Sequence, residues 1–168
     1  MRKITPSVLI LILAVALQAI GQERDRAKIP DKYKWNLADI YPTDVAWRAA
    51  KEKIQRDIPA LATFKGKLGA SAPALADALD RIYSLQKDLS RLRSYASLFA
   101  DQDTRDSVHQ GMRQEMAQVA AQFNAETSYF EPEILRLPKQ TIEQFIHSEP
   151  RLKPYQFALE DITRRAAH

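Results

Sequence analysis

The amino-acid sequence predicts an all-α fold: a long antiparallel helical hairpin with additional shorter helices. Three observations indicate this class. Hydrophobic residues make up 45% of the 168-residue chain while glycine occurs only 4 times, a composition typical of helical globular proteins. An unbroken heptad pattern of apolar residues runs through 75–99. A second helical pattern follows it after a short polar turn, so the two helices are expected to pack lengthwise against each other.

The N-terminal segment, residues 1–21, has the organisation of a secretory signal peptide. A positively charged start precedes an apolar stretch at 8–20, which is shorter than the ~20 apolar residues that span a membrane. Gly21 supplies a small side chain before the cleavage point and predicts Gln22 as the mature N-terminus. An uncleaved N-terminal anchor is the alternative. We expect export to the periplasm or the extracellular space, with no stable membrane insertion after cleavage.

The rest of the chain is predicted to form one domain. Residues 22–34 are mostly charged and show no apolar periodicity, so we expect an extended leader there. The domain itself is expected to occupy residues 35–168, a length sufficient for one hydrophobic core but not for two ordinary ones.

The first helix of this domain is predicted to begin near Val45. Thr43 or Asp44 can cap it, because a side-chain oxygen there accepts a backbone N–H that has no partner within the helix. Pro59 is expected to kink or end the helix, since proline lacks an N–H. Four apolar residues are predicted to share its buried face: Trp47, Ile54, Ile58 and Leu61.

The heptad pattern predicts a long helix from about Ala72 to Ala100. A polar turn at 101–106 separates it from a second long helix, and the two form the hairpin. The seam of the first helix is predicted to consist of Leu75, Ala78, Ile82, Leu85, Leu89, Leu92, Ala96 and Phe99. The facing side of the second carries Val108, Met112, Met116, Val119, Phe123 and Phe130.

Two shorter helical segments are predicted after the hairpin. Ile142, Phe145 and Ile146 indicate a short helix that stops before Pro150. Another amphipathic segment starts near Pro154 and reaches the last residues without a capping signal. We therefore expect the sequence to stop inside an element of a longer protein.

No catalytic, cofactor-binding or metal-binding residue is predicted. A zinc hydrolase of the His-Glu-x-x-His type needs two histidines four residues apart, and His109, His147 and His168 lack that spacing. Glu143 and His147 lie one helical turn apart, but two ligands alone make a weak metal site, so a surface pair is expected. The acidic residues at 101–106 are predicted to form a turn and a helix cap rather than a calcium loop.

The charge pattern excludes a nucleic-acid-binding surface. Acidic and basic residues alternate, and no run of lysine or arginine is longer than two residues. Cysteine is absent, which excludes disulfides, thiolate metal sites and a cysteine nucleophile.

Several short motifs follow one another in order along residues 29–165. They are Ile29-Pro30-Asp31-Lys32-Tyr33-Lys34-Trp35-Asn36-Leu37, Asp39-Ile40-Tyr41-Pro42, Phe64-Lys65-Gly66-Lys67-Leu68, Tyr95-Ala96-Ser97-Leu98, Asp101-x-Asp103-Thr104 and Phe130-Glu131-Pro132-Glu133-Ile134-Leu135. Together they resemble the N-terminal region of oligoendopeptidase F, a relative of thimet oligopeptidase among the zinc metallopeptidases. The resemblance implies a helical N-terminal lobe of an oligopeptidase, which limits access to a deep cleft that admits short peptides. It implies that zinc and its ligands belong to a catalytic domain missing from this sequence.

Within that resemblance, Trp35 and Tyr41 have two interpretations. They anchor the core, or they contact the missing catalytic lobe, and the sequence does not separate these because both lie outside a periodic helix. Trp47 lies on an apolar helix face and is expected in the core.

Two functions remain open at this point. The first is the substrate-access lobe of an exported oligoendopeptidase F type zinc metallopeptidase, inactive alone, whose partner is a catalytic domain in cis or in trans. It predicts an exposed apolar patch. The second is a free-standing, non-catalytic helical binding protein of the cell envelope. It predicts a polar surface all round and dimerisation through the heptad seam.

Overall fold

The computed structural model describes residues 28–165, and every regular element within them is helical. The predicted all-α class is confirmed. The predicted signal peptide, with Gly21 and Gln22, lies outside the described residues. The chain divides into two compact units at Asn36 and Leu37. In the described part of the first unit, a 3-10 turn at Asp31–Tyr33 interrupts the segment predicted as an extended leader.

The second unit contains a series of α-helices joined by short connections. They are α1 (Asp44–Asp57), α2 (Ala72–Gln102), α3 (Ser107–Thr127), α4 (Phe130–Arg136), α5 (Lys139–Ser148) and α6 (Gln156–Arg165), with 3-10 segments at Leu37–Asp39, Ile58–Phe64 and Pro150–Tyr155. No helix within residues 28–165 combines the length and apolar character needed to cross a bilayer.

Helix α1 begins and ends where its sequence predicts. The Thr43 hydroxyl accepts a hydrogen bond from the backbone N–H of Ala46 at 3.1 Å, which confirms the cap. The α-helix ends at Asp57, and the chain continues through Pro59 as the 3-10 segment Ile58–Phe64. The four residues predicted on its buried face are all buried: Trp47, Ile54, Ile58 and Leu61.

The long hairpin is confirmed. Helices α2 and α3 pack along each other, and the α2 seam is buried from Leu75 to Ala96, with Phe99 half-buried at its end. Met112, Met116, Val119 and Phe123 of α3 are buried opposite. The prediction for Val108 was wrong, since 55% of this residue is exposed. Val108 lies in the first turn of α3, beyond the point where the packed seam ends.

The buried side chains form two clusters, and α2 contributes to both. The first joins α1 and α3 to the part of α2 from Ile82 to Ala96. The second joins the beginning of α2, from Ala72 to Leu79, to α4, α5 and α6. Three half-buried aromatic residues contact both clusters: Phe64, Tyr83 and Phe130.

Candidate interlobe surface

The described residues contain no set of metal ligands. No group of three or more histidine, cysteine, aspartate or glutamate side chains within residues 28–165 is arranged to hold an ion. Glu143 and His147 are both exposed on α5, as expected of a surface pair, and the Glu143 carboxylate lies 3.6 Å from the Lys139 ammonium. They border an open groove of about 640 Å³ that Lys153, Gln156 and Glu160 also line.

The acidic turn between α2 and α3 is used for local structure. The Asp103 carboxylate accepts hydrogen bonds from the Arg105 side chain at 2.8 Å. Asp106 caps α3, and its Oδ1 accepts the backbone N–H groups of Val108 at 2.9 Å and His109 at 3.3 Å. The predicted turn and cap are confirmed.

Trp47 is an internal anchor. Its side chain is fully buried, and its indole N–H donates a hydrogen bond to the backbone carbonyl of Leu92 at 2.9 Å. Burial of a tryptophan of this kind requires a partner for its single donor, and α2 supplies it. The core position predicted for Trp47 is confirmed.

Tyr41 is half-buried against the first cluster. Its ring meets the edge of the Tyr95 ring with centroids 5.5 Å apart, and the Arg91 guanidinium lies 5.5 Å from the Tyr41 centroid. Arg91 also donates to the carbonyl of Ile40 at 3.2 Å, which fixes the backbone before Tyr41. Burial raises the pKa of the Tyr41 phenol. One side of Tyr41 is therefore in contact with Tyr95 and Arg91 of α2, and the other side is partly exposed.

Trp35 lies in the first unit, of which residues 28–36 are described, and it is 55% exposed. Tyr33 in the same unit is 69% exposed, and the Lys32 ammonium lies 4.8 Å from the centroid of its ring. Lys34 and Asp31 form an ion pair at 2.9 Å across the single turn. This segment therefore presents two aromatic side chains to solvent.

A cluster of polar and aromatic side chains lies at the end of the hairpin where α3 begins. The Tyr95 hydroxyl donates to Asp44 at 2.9 Å, and His109 lies between Asp44 at 3.6 Å and Asp106 at 2.7 Å. Phe99 stacks on the His109 ring at 4.4 Å. Burial first, and then the hydrogen bond to Asp44, raise the pKa of Tyr95 to about 12. This arrangement joins α1, α2 and α3, and its chemistry is that of a structural junction.

Two exposed valines adjoin this junction. Val45 is 76% exposed in the first turn of α1, and Val108 is 55% exposed in the first turn of α3. Each is a close neighbour in sequence of an acidic residue that holds His109. The sequence carries no signal for this surface, because the approach of the two helix ends depends on packing angles that no local pattern encodes.

The chain is similar to known peptidases over most of its length. A family model described as Oligopeptidase F matches residues 133–168. Oligopeptidase PepF of Bacillus subtilis is 36% identical over 148 residues, which are 88% of this chain and 22% of that protein. The plasmid-encoded oligoendopeptidase F of Lactococcus lactis subsp. cremoris is 29% identical over 86% of this chain and 24% of its own. The chain thus spans less than a quarter of the length of these relatives.

Solved structures show the same likeness. A putative peptidase from Chlamydophila abortus superposes with a TM-score of 0.75 at 26% identity, covering 86% of this chain and 24% of that one. Oligoendopeptidase-F from Enterococcus faecium superposes with a TM-score of 0.69 at 25% identity, covering 75% of this chain and 25% of that one. Sequence and fold therefore agree on the same group of relatives.

Proposed function

We propose that this chain, an N-terminal domain of the oligoendopeptidase F family, is the substrate-access lobe of an exported zinc metallopeptidase. The full enzyme would cleave short peptides. No group of three or more histidine, cysteine, aspartate or glutamate side chains within residues 28–165 is arranged to hold an ion. The ion and the hydrolytic chemistry would belong to the catalytic domain of the longer protein. The contribution of this lobe is steric: a rigid helical wall that restricts which peptides enter.

The observation that carries this proposal is the combination of a complete internal core with apolar side chains left outside it. Val45, Val108 and Phe157 are each more than half exposed, although the lobe buries both of its own clusters. Single exposed apolar side chains are common on protein surfaces, so the support comes from their combination with relatives of which this chain matches less than a quarter, which leaves a large part of each relative to cover such residues.

The alternative of a free-standing binding protein that dimerises through its heptad seam has less support. The seam is already occupied, since α3 covers the α2 residues from Ile82 to Leu92 within the same chain. A second copy would have to displace α3 in order to use it. The buried Met112 and Met116 on α3 would then lose their contacts.

The access role is tested by joining this chain to the catalytic part of the Bacillus subtilis relative, in place of the segment that aligns with it. We expect the joined protein to cleave short peptides, to lose this activity with a chelator, and to leave an unfolded protein such as casein uncut. The catalytic part alone is the control and is expected to lose either its activity or its size limit. Equal cleavage of casein and short peptides by the joined protein would contradict the role.

Two further parts of the proposal are tested separately: that the chain without a catalytic domain has no peptidase activity, and that it is exported. The purified 168-residue chain is expected to release no product from a mixture of short peptides, and chelator-sensitive cleavage above a mock preparation would contradict this. Export predicts that the chain made in a bacterial host with its own N-terminus is recovered from the periplasm or the medium beginning at Gln22. Recovery of a product that retains residues 1–21 would favour an uncleaved anchor.

A further inference from the structure

One exposed face of α3 lacks charge over an unusual length. The residues that face solvent between positions 114 and 128 are uncharged: Gln114, Ala117, Gln118, Ala121, Asn124, Ala125 and Ser128. The exposed faces of the neighbouring helices differ, because α1 presents Arg48, Glu52 and Lys53 and α5 presents Lys139 and Glu143. A solvated helix face normally carries charges, whereas the centre of a protein interface is depleted of them.

The shape of this face suits a second helix. Ala117, Ala121 and Ala125 recur every four residues and form one of the ridges along which helices pack. Their small side chains allow another helix to approach to about 8 Å between axes, the short end of the observed range. From position 114 to 128 the face is about 21 Å long, which is the length of four helical turns.

An aromatic-lined groove continues the same surface. It has a volume of about 260 Å³ and lies beside α3, where Tyr83 of α2 and Phe130 of α4 face Phe123. Asn124 and Ser128 belong to both the groove and the uncharged face. The surface therefore offers an uncharged part for close helix packing and an adjoining recess that has an aromatic part and a polar rim, to which Glu131 contributes.

We infer that this uncharged face of α3, with its groove, is where an amphipathic helix of the catalytic domain docks. The inference rests on the proposed function and adds one specific surface at which the two lobes meet. The relatives carry more than three quarters of their length beyond the matched segment, so a large partner is present in each of them.

The size of the face decides between this partner and a second copy of the chain. A strip about 21 Å long and about 10 Å wide, the diameter of a helix, gives about 200 Å². A stable interface between separate proteins buries about 800 Å² on each side, so the strip is too small for a dimer. A partner in the same polypeptide has a high effective concentration, and a contact of this size is then sufficient.

The absence of cysteine from the chain makes a direct test possible. Ala121→Cys places one thiol on the uncharged face, and Ala49→Cys places a matched thiol on the exposed, charged side of α1. Labelling with a maleimide is followed by mass spectrometry of the modified peptide, both in the 168-residue chain and in the protein joined to the catalytic part of the Bacillus subtilis relative. In the separate chain, both thiols are expected to react at similar rates.

Joining the catalytic part is expected to slow labelling at position 121 by about tenfold or more, which corresponds to a modest contact energy, and to leave position 49 unchanged. An unchanged rate at position 121 would overturn the inference. Protection in the separate chain that grows with protein concentration would also overturn it, because a second copy would then cover the face. Protection in a joined protein that cuts casein and short peptides equally supports the docking face while rejecting the access role. If the joined protein cuts only short peptides but position 121 is not protected, the access role is supported and the docking face is rejected.

Discussion

The indole N–H of Trp47 and the backbone carbonyl of Leu92 form a buried hydrogen bond of 2.9 Å that links α1 to the middle of α2. The chain has only one other tryptophan, Trp35, which is 55% exposed. The two indoles therefore provide an internal comparison of a buried and an exposed position.

Replacing Trp47 by phenylalanine is expected to lower the free energy of unfolding by about 2 kcal/mol or more, from the lost hydrogen bond and the cavity left behind. Trp35→Phe is expected to change it by less than about 0.5 kcal/mol, since exposed substitutions have small effects. Urea denaturation of both variants checks this. Similar losses in the two would show that Trp35 is also anchored in the folded chain.

Glycine substitutions are expected to act in opposite directions at two positions. Gly66 has a φ of +77°, so Gly66→Ala should destabilise the chain by about 1–2 kcal/mol even though no atom lies within 4 Å of the added carbon. Gly111 lies inside α3 with equally open surroundings, and Gly111→Ala should stabilise by about 0.5–1 kcal/mol. Thermal and urea unfolding measure both, and a loss of stability in Gly111→Ala would indicate an unrecognised contact.

Alkaline pH is expected to weaken the junction at Tyr95. Its pKa in the folded chain is about 12, above the value near 10 of an unfolded tyrosine. The phenol is protonated in both states below about pH 10, and its contribution is then complete. Between about pH 10 and pH 12 the unfolded chain loses the proton first, so stability falls as pH rises, by about 2–3 kcal/mol for a shift of this size.

Urea unfolding of the parent and Tyr95→Phe at pH 8 and pH 12 isolates this effect. The parent is expected to be the more stable at pH 8 and to lose that advantage by pH 12. Tyr33→Phe, which removes an exposed hydroxyl, serves as the control and should parallel the parent at both values. An unchanged difference between the parent and Tyr95→Phe would contradict the assignment.

Acid is expected to weaken the cap of α3. Hydrogen bonds from the backbone N–H groups of His109 and Val108, together with the adjacent imidazole, hold the pKa of Asp106 below its usual range. A lowered pKa means that the carboxylate contributes its full stabilisation above the unfolded value of about 3.9, and that this contribution is lost as pH falls from there through the lower pKa of the folded chain. Asp106→Asn keeps the cap and removes the charge.

The Asp106→Asn variant should therefore be less stable than the parent at pH 7, and the difference should shrink steadily as pH falls below about 4, the ordinary aspartate pKa. Asp101→Asn, which changes an exposed carboxylate 3.3 Å from Arg113, is the comparison and should have a smaller effect. Circular dichroism during urea titration measures both. A pH-independent difference for Asp106→Asn would mean that packing, and not charge, is involved.

The helices could be predicted from the sequence because apolar periodicity encodes which face of a helix is buried. This holds from Leu75 to Ala96, where each predicted seam residue is buried. The apolar pattern failed at Val108, which continues the helical period but lies in the first turn of α3, where 55% of it is exposed. The link between Asp44 and His109 could not be predicted either, since it depends on how α1 and α3 meet in space. Trp35 and Tyr41 lie outside periodic segments, and only burial separates the half-buried Tyr41 from the exposed Trp35.

Helix α2 is a continuous rod of 31 residues, about 46 Å long at 1.5 Å per residue. Each buried cluster packs against a different stretch of this helix, at residues 72–79 and 82–96, so the helix connects the two clusters. A tilt of about 5° at one end would move the far end by about 4 Å, roughly three quarters of the 5.4 Å pitch of a helix. Under the proposed access role, we expect a path for substrate to open by movement of α2 as a whole against the neighbouring domain, and not by a bend within the helix.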